Sequence, residues 1–322
     1  MSDNLLLFHC YGKPYVDYAK LCSFSLRSAN VNDPLLFYCD PKYVEELKDF
    51  ESRWNLDFLV KPLNVPHYKK FYGAGYRFFY DTEYWSGRNV FIGDVDFFYC
   101  PKKNFLDNCF SHANSINLPI SCIVREIDYF NNSSIKNLAS TLYYLGFSHA
   151  IKCIKIGNIP IYRAASGGCF IHSDLTSRND FIKISKKYLS YIHNQKFFKN
   201  HPRGINNECM VYDFFRELGI LIPINHHYSN HSERLLEDHD GKNIYYRANI
   251  GMNLASCRPK KWNSGQGILN PNKFLNKKNG KKVLMNFFNG MNSKKGQLLL
   301  EEVSLEFSDM IKSTLKTIKE NI

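Results

Sequence analysis

Apolar and polar residues alternate along the first sixty positions in a pattern that predicts strand, helix, strand, helix, strand. The predicted strands are residues 5–10, 34–40 and 56–60. Apolar residues at helical spacing predict a helix over 15–29, and the polar run 41–53 predicts an exposed helix. This alternation favours an α/β fold with a parallel sheet, in which ligands bind at the carboxyl ends of the strands.

Three side chains with binding chemistry lie at the carboxyl ends of the first two predicted strands. They are His9, Tyr11 and Asp40. Because strand ends of a parallel sheet meet at one edge, we interpret them as candidate ligands of a bound nucleotide. Asp40 has two interpretations: contact with a ribose or base, or an Asx turn before Pro41, of which the turn is favoured.

A fourth apolar run ends in two carboxylates that stand one residue apart. Residues 89–100 read NVFIGDVDFFYC and predict a buried strand that ends in Asp94 and Asp96. Two negative charges at the end of an apolar strand are costly unless a positive group lies beside them. Mg²⁺ and Mn²⁺ bind carboxylate and phosphate oxygens and need few protein ligands. The pair therefore predicts a metal site that holds a nucleotide diphosphate; the alternative is a strand followed by a solvated turn.

Further candidates lie in helices and strands later in the chain. Arg77 stands among aromatic residues in a predicted helix, where it binds either a phosphate or a structural carboxylate. Ser166 and Gly167 belong to a run of small residues before an apolar strand, which permits close approach of a ligand or another backbone. Asn207 and Glu208 lie at the predicted start of a helix.

Two candidates carry a weaker signal from the residues around them. His227 belongs to a histidine group after a predicted strand over 220–224, and it either completes the metal site or is a polar loop residue. Lys261 lies in a basic segment that either closes over a diphosphate or is solvated surface. A final amphipathic helix is predicted near 296–320.

Composition narrows the class of protein and of partner. The chain has 322 residues, 44% of them hydrophobic, which predicts a substantial core. Its 42 basic and 30 acidic residues give a net charge of +12, which favours anionic partners. Ten cysteines without Cys-x-x-Cys spacing argue against a zinc ribbon. Because no signal peptide pattern and no apolar run of about 18 residues is present, we expect a cytoplasmic protein.

Taken together, these segments resemble the GT-A fold glycosyltransferases, especially the retaining family 8 group of bacterial lipopolysaccharide galactosyltransferases and glycogenin. In that family a Tyr-x-Arg helix precedes an Asp-x-Asp strand by about the interval that separates Arg77 from Asp94. The family's Asn-Ala-Gly strand resembles 165–171, and its Asp-Gln pair resembles Asn207 and Glu208. Its late His-x-x-Gly-x-x-Lys-Pro-Trp element has a faint echo in 260–262, without a clean counterpart of the histidine.

The resemblance implies a fold, a reaction and a cofactor. The fold is a Rossmann-like, mixed and mainly parallel sheet flanked by helices, with a GT-A domain over 1–262 and a basic segment and C-terminal helix over 263–322. The reaction is transfer of a sugar from a UDP-sugar to a hydroxyl of a glycan or lipid-linked acceptor, with retention and with Mn²⁺ or Mg²⁺. Glu208, with Asn207, takes the catalytic role, since blood-group type retaining transferases carry a Glu near the reacting carbon.

Other functions remain open on the sequence alone. The net charge and the 21 tyrosines are compatible with a nucleic-acid-binding protein, although no binding motif supports that interpretation and we expect no nucleic-acid partner. A phosphohydrolase or nucleotidyltransferase also uses carboxylate-bound cations, usually with further ligands around two metals. A catalytically silent GT-A binding module is a third alternative. The basic C-terminal region could also contact an anionic membrane at its surface.

Overall fold

A computed structural model of the chain describes residues 3–66, 75–101, 105–127, 162–193, 207–222, 226–227, 251–254, 257 and 280–322. The chain divides into two compact units. Unit 1 consists of Met1–Asn64, Gly93–Asn108 and Tyr245–Ile322, and unit 2 of Val65–Ile92 and Cys109–Ile244. The predicted boundary between 1–262 and 263–322 stays a prediction, although the described part of the tail belongs to unit 1.

The strands and helices are numbered here in chain order. The strands are β1 (Asn4–Cys10), β2 (Leu35–Cys39), β3 (Leu59–Pro62), β4 (Asn89–Ile92), β5 (Phe97–Tyr99), β6 (Ile120–Ile127), β7 (Tyr162–Ile171), β8 (His226–His227) and β9 (Gly251–Asn253). The helices are α1 (Lys13–Ser28), α2 (Val44–Trp54), α3 (Tyr76–Phe79), α4 (Phe105–Ser115), α5 (Ser173–Thr176), α6 (Asn179–His193), α7 (Asn207–Glu217), α8 (Gly280–Asn292), α9 (Lys294–Leu299) and α10 (Leu305–Asn321).

Unit 1 is built on three parallel strands in the order β3, β2, β1. The register aligns Leu6 with Leu35 and Leu36 with Leu59. The predicted β-α-β-α-β order is therefore confirmed, since α1 and α2 follow β1 and β2 along the chain. β3 begins three residues later than predicted, because Asn55 and Asp57 both have a φ of 50° and turn the chain before the strand starts. A separate antiparallel pair joins β5 to β9.

Unit 2 contains a mixed sheet in the order β4, β7, β6, β8. β7 is antiparallel to both β4 and β6, whereas β8 is parallel to β6. Aromatic residues of α3, α6 and α7 form its helical core, with Phe79, Tyr188 and Phe214 in mutual ring contact. The chain is thus α/β, with parallel strand pairs in both units. This confirms the predicted class and is compatible with a Rossmann-like fold.

Two predicted elements are wrong in their extent. The predicted helix near 296–320 consists of α9 and α10, which are separated by a break at 300–304, and α8 was not predicted. Ile220–Ile222 form no regular structure, whereas His226 and His227 form β8. β8 depends on pairing with Arg125 and Glu126, a contact across about a hundred residues that local sequence does not reveal.

The C-terminal helices pack into the core of unit 1. Phe307 of α10 lies edge-on to Tyr18 with ring centroids 4.8 Å apart, and the Tyr18 hydroxyl points at the Met310 sulfur at 3.6 Å. Phe287 of α8 is fully buried against Phe98. A membrane contact could therefore not use Phe287 and would rest on exposed lysines; that contact stays a prediction. Among the helices that the structure describes, none is long and apolar enough to cross a membrane.

A buried lysine joins three segments of unit 1. Lys20 is 3% exposed, and its Nζ donates to Glu46 Oε1 at 2.7 Å and to the Glu302 carbonyl at 2.6 Å. Lys13 also bonds to Glu46, and Arg53 holds the Glu302 carboxylate. Burial alone raises the pKa of Glu46, but the bonds from Lys13 and Lys20 outweigh it and hold that pKa below its usual value.

We expect the ion pairs of Glu46 to make the free energy of unfolding depend on pH. A carboxylate whose pKa is lowered by folding adds stability above its unfolded pKa of about 4.3, and that contribution is lost as the pH falls through the lowered folded pKa. The free energy of unfolding, measured by urea denaturation between about pH 5 and pH 3, should fall more steeply in the wild type than in Glu46→Gln.

Glu45→Gln is the matched control, because the exposed Glu45 pairs with Lys48 on the surface of α2. Its pH dependence should follow that of the wild type. Parallel curves for the wild type and Glu46→Gln would contradict this account of the Glu46 ion pairs.

Candidate active site

The carboxyl ends of β1 and β2 are joined by the side chain of Asp40. Its Oδ2 accepts the Gly12 N–H at 3.2 Å, and its Oδ1 accepts the Lys42 N–H at 3.1 Å. Gly12 has a φ of 84°, a left-handed conformation that favours glycine. The Asx-turn interpretation of Asp40 is therefore confirmed. Asp40 shapes the loop after β1, and a ribose contact by the same carboxylate stays a prediction.

Tyr11 and His9, at the carboxyl end of β1, differ in how far their side chains are buried. Tyr11 is half-buried next to Asp40, and its pKa is raised by burial and then by the Asp40 charge. Its ring is thus partly open to a ligand at the end of β1. His9 is only 7% exposed and lies edge-on to Tyr38 with ring centroids 5.2 Å apart. His9 therefore belongs mostly to the interior of the sheet.

Residues 93–96, here named the aspartate loop, connect β4 to β5 and carry Asp94 and Asp96. Three hydrogen bonds fix the loop backbone within unit 1. The Gly93 N–H donates to the Leu7 carbonyl at 3.0 Å, and the Tyr99 hydroxyl donates to the Asp94 carbonyl at 2.9 Å. The Leu254 N–H donates to the Asp96 carbonyl at 2.9 Å. The backbone of the loop is therefore held against β1, the strand that leads into Tyr11.

The two carboxylates sit at different depths. Asp94 is half-buried, whereas Asp96 is 8% exposed. The negative charge of Asp96 adds to burial in raising the pKa of the Cys22 thiol on α1, so Asp96 lies at the boundary with the core. Such a depth for a carboxylate is costly without a compensating positive charge or hydrogen bonds. The alternative of a fully solvated turn therefore does not describe Asp96.

Gly93 is required by the packing under the loop. A Cβ at this position would lie 2.2 Å from Phe8 Cε1 and 2.7 Å from the Tyr99 hydroxyl. Phe8 cannot easily move, because it is fully buried between Phe37 and Tyr99, each with its ring centroid 5.5 Å away. Gly93 and Tyr99 were missed as site residues. The only signal for them was a glycine directly before the aspartates and a tyrosine three residues after them.

The donor set fits a hard cation that binds together with a phosphate ligand. Among the residues that the structure describes, no group of three or more His, Cys, Asp or Glu side chains is arranged to hold a metal. Asp94 and Asp96 supply carboxylate oxygens only, which suit Mg²⁺ or Mn²⁺. Mg²⁺ is commonly held by one or two carboxylates plus substrate phosphates, so a pair of aspartates is compatible with such a cation.

Arg77 lies on α3 in unit 2 and is 8% exposed. Its guanidinium lies over the Phe78 ring, 5.1 Å from the centroid. Its charge lowers the pKa of Cys169 on β7, although burial outweighs this and leaves that pKa well above the usual value. Arg77 is thus a buried cation close to β7, and its roles in phosphate binding or a structural ion pair both stay predictions.

The other predicted residues of unit 2 occupy defined places in its secondary structure. Ser166 and Gly167 lie in β7, opposite the point between Cys122 and Val124 where the register with β6 shifts. The run of small residues therefore coincides with a β-bulge. Asn207 and Glu208 are the first two residues of α7, as predicted. His227 pairs with Glu126 in β8, so its prediction as a loop residue is wrong. The catalytic and metal-binding roles stay predictions.

The structure therefore has five predicted residues in unit 1, three at the carboxyl ends of β1 and β2 and two in the aspartate loop, which bonds to β1. They are His9, Tyr11, Asp40, Asp94 and Asp96. Arg77, Ser166, Gly167, Asn207, Glu208 and His227 belong to unit 2, and Lys261 lies outside the described residues. In comparisons with known proteins, no family model and no curated protein matches this chain.

Proposed function

We propose that the chain is a metal-dependent glycosyltransferase of the GT-A type. It transfers a sugar from a nucleotide-diphosphate donor, of the UDP-sugar class, to a hydroxyl of a glycan or lipid-linked acceptor, with retention. The observation that carries the proposal is the aspartate loop: two carboxylates, one of them 8% exposed, on a backbone fixed by three hydrogen bonds beside parallel strands. Two carboxylates on a fixed backbone beside parallel strands suit a cation that arrives with a diphosphate.

The nucleoside end of the donor would bind beside Tyr11. A half-buried aromatic ring next to a loop of fixed shape offers a flat surface on which a base can stack. The Asp40 oxygens already accept two backbone N–H groups, but each keeps a lone pair that a ribose hydroxyl could use. His9, being mostly buried, would contribute at the back of this subsite.

The diphosphate end would bind through Asp94 and Asp96 together with Mn²⁺ or Mg²⁺. When bound, the cation supplies Lewis-acid neutralisation of the negative charge that develops on the leaving diphosphate. On the sequence alone, Arg77 and Lys261 stay candidates for a fixed positive charge that would stabilise a developing negative charge. The resemblance implies that Ser166 and Gly167 contact the donor. His227 is a candidate metal ligand because of the histidine group to which it belongs, and the resemblance offers no counterpart for it.

Glu208 is the proposed catalytic carboxylate, with Asn207 beside it. In a retaining transfer Glu208 acts as the nucleophile or stabilises the oxocarbenium-like transition state. If the transfer inverts instead, Glu208 would be the base that deprotonates the acceptor hydroxyl. The anomeric configuration of the product, read by proton NMR, separates these two roles.

A panel of nucleotide sugars tests the proposal as a whole. We expect one donor to raise the melting temperature in the presence of Mn²⁺ and to be slowly hydrolysed, because water can replace a missing acceptor. Both signals should disappear in the double variant Asp94→Ala/Asp96→Ala. Absence of any response across the panel with Mn²⁺ present would remove the transferase proposal. Tight, steeply salt-dependent binding of DNA or RNA would instead favour the nucleic-acid alternative.

A further inference from the structure

We infer that Tyr99 is a positioning residue for the proposed cation–diphosphate site. Its hydroxyl sets the conformation of the aspartate loop by holding the Asp94 carbonyl at 2.9 Å. The inference rests on the proposed function, since it assigns Tyr99 to the same site. Tyr99 itself touches neither donor nor metal in this role; it acts through the backbone that carries the two carboxylates.

Both the backbone and the ring of Tyr99 are held in place, so its hydroxyl has little freedom to move. The Tyr99 N–H donates to the Ser25 hydroxyl on α1 at 2.8 Å, and Ser25 donates in turn to the Cys22 carbonyl at 2.8 Å. The Tyr99 side chain is 2% exposed, and its ring lies edge-on to Phe8. A hydrogen bond from such a side chain has little freedom to follow a moving loop.

The position of the supported carbonyl explains why this bond matters for the site. The Asp94 carbonyl belongs to the peptide group between Asp94 and Val95, and therefore lies between the two carboxylate-bearing residues. Because the peptide group is planar, fixing its oxygen restricts ψ of Asp94 and φ of Val95, the torsions that set how the backbone runs from Asp94 towards Asp96. Val95 is 5% exposed and anchors the middle of the loop in the interior. The Asp94 side chain is thus half-buried, while its carbonyl oxygen accepts a hydrogen bond from the buried Tyr99 hydroxyl.

The other two anchors should keep the loop in place when the hydroxyl is removed. Gly93 remains bonded to Leu7, and Asp96 remains bonded to Leu254. The expected result of Tyr99→Phe is therefore a loop that stays folded but samples several orientations of the Asp94 peptide. Since one neutral hydrogen bond is lost, we expect the affinity for the cation–diphosphate to fall by about fivefold to tenfold.

The test compares Tyr99→Phe with the matched control Tyr18→Phe. Tyr18 is also buried in unit 1, at 1% exposed, but its hydroxyl points at the Met310 sulfur. The affinity for UDP is measured twice by calorimetry, once with Mn²⁺ and once with EDTA, and free Mn²⁺ is followed by electron paramagnetic resonance. Melting temperatures of the metal-free proteins report the purely structural cost of each change.

We expect Tyr99→Phe to weaken UDP binding about fivefold to tenfold with Mn²⁺ and to leave binding in EDTA unchanged. Tyr18→Phe should leave both affinities unchanged, even if it lowers the melting temperature. The positioning role would be overturned if Tyr99→Phe weakened UDP binding equally with Mn²⁺ and with EDTA. It would also be overturned if this variant bound Mn²⁺ and UDP as tightly as the wild type. If the wild type itself binds no UDP with Mn²⁺, the proposed function fails, and the inference fails with it.

Discussion

Asp96→Asn is expected to lower donor turnover by about 10²- to 10³-fold, the loss typical for removal of one group that stabilises transition-state charge. Asparagine keeps the size of the side chain and one oxygen, but it removes the negative charge that a cation requires. Because Asp96 is 8% exposed, solvent cannot readily replace the missing ligand. The rate of donor hydrolysis at saturating Mn²⁺ measures the effect.

Asp49→Asn is the control for a lost carboxylate elsewhere in unit 1. Asp49 is an exposed residue of α2 that pairs with Arg53 at 2.9 Å, on the surface of the unit. We expect it to keep the wild-type rate within about twofold, because exposed ion pairs contribute little. If Asp96→Asn keeps the wild-type rate and the wild-type melting temperature, the aspartate loop does not hold the donor.

The second large effect is expected for Gly93→Ala, which should lower the free energy of unfolding by about 1–3 kcal/mol. The added Cβ would meet Phe8 Cε1 at 2.2 Å, and Phe8 is fully buried. To avoid this clash, either the Phe8 ring must shift into its aromatic neighbours or the aspartate loop must shift away from β1. Denaturation in guanidinium chloride measures the loss.

A double-mutant cycle identifies the clash as the cause. Phe8→Leu removes the ring atoms that the new Cβ would meet, at its own cost in lost packing. In the Gly93→Ala background, Phe8→Leu should therefore cost less than it does alone, with a coupling free energy of about 0.5–3 kcal/mol. Strictly additive losses would show that Phe8 does not limit the space above Gly93.

Much of unit 1 could be predicted because its signals are local. β1, α1 and β2 have strong apolar periodicity, and Asp40 has the short-range chemistry of an Asx turn. The helix break at 300–304 depends on a distant partner instead. The Ser304 hydroxyl donates to Asp17 Oδ2 at 2.6 Å, although the two residues are far apart in the chain. No periodicity in the tail could reveal that contact.

In the candidate site, too, some residues could be predicted from local sequence and others depend on contacts made only in the folded chain. Asp94 and Asp96 could be predicted because two charges at the end of an apolar run are unusual in themselves. Tyr99 could not, because its role depends on a hydroxyl that reaches back to the Asp94 carbonyl after the chain has turned. His227 was predicted in a loop, since its strand exists only through pairing with β6. Local sequence thus predicted the candidate ligands but not the residues that hold their loop in place.

Calorimetric titration of UDP into the wild type and into Asp94→Asn/Asp96→Asn, with Mn²⁺ and with EDTA, tests whether the aspartate loop binds a nucleotide diphosphate through a divalent cation. We predict that the wild type binds UDP with Mn²⁺ far more tightly than in EDTA, and that the double variant loses this difference. Equal binding with and without Mn²⁺ in the wild type, or an unchanged Mn²⁺ dependence in the double variant, would show that the aspartate loop does not bind the diphosphate through a cation.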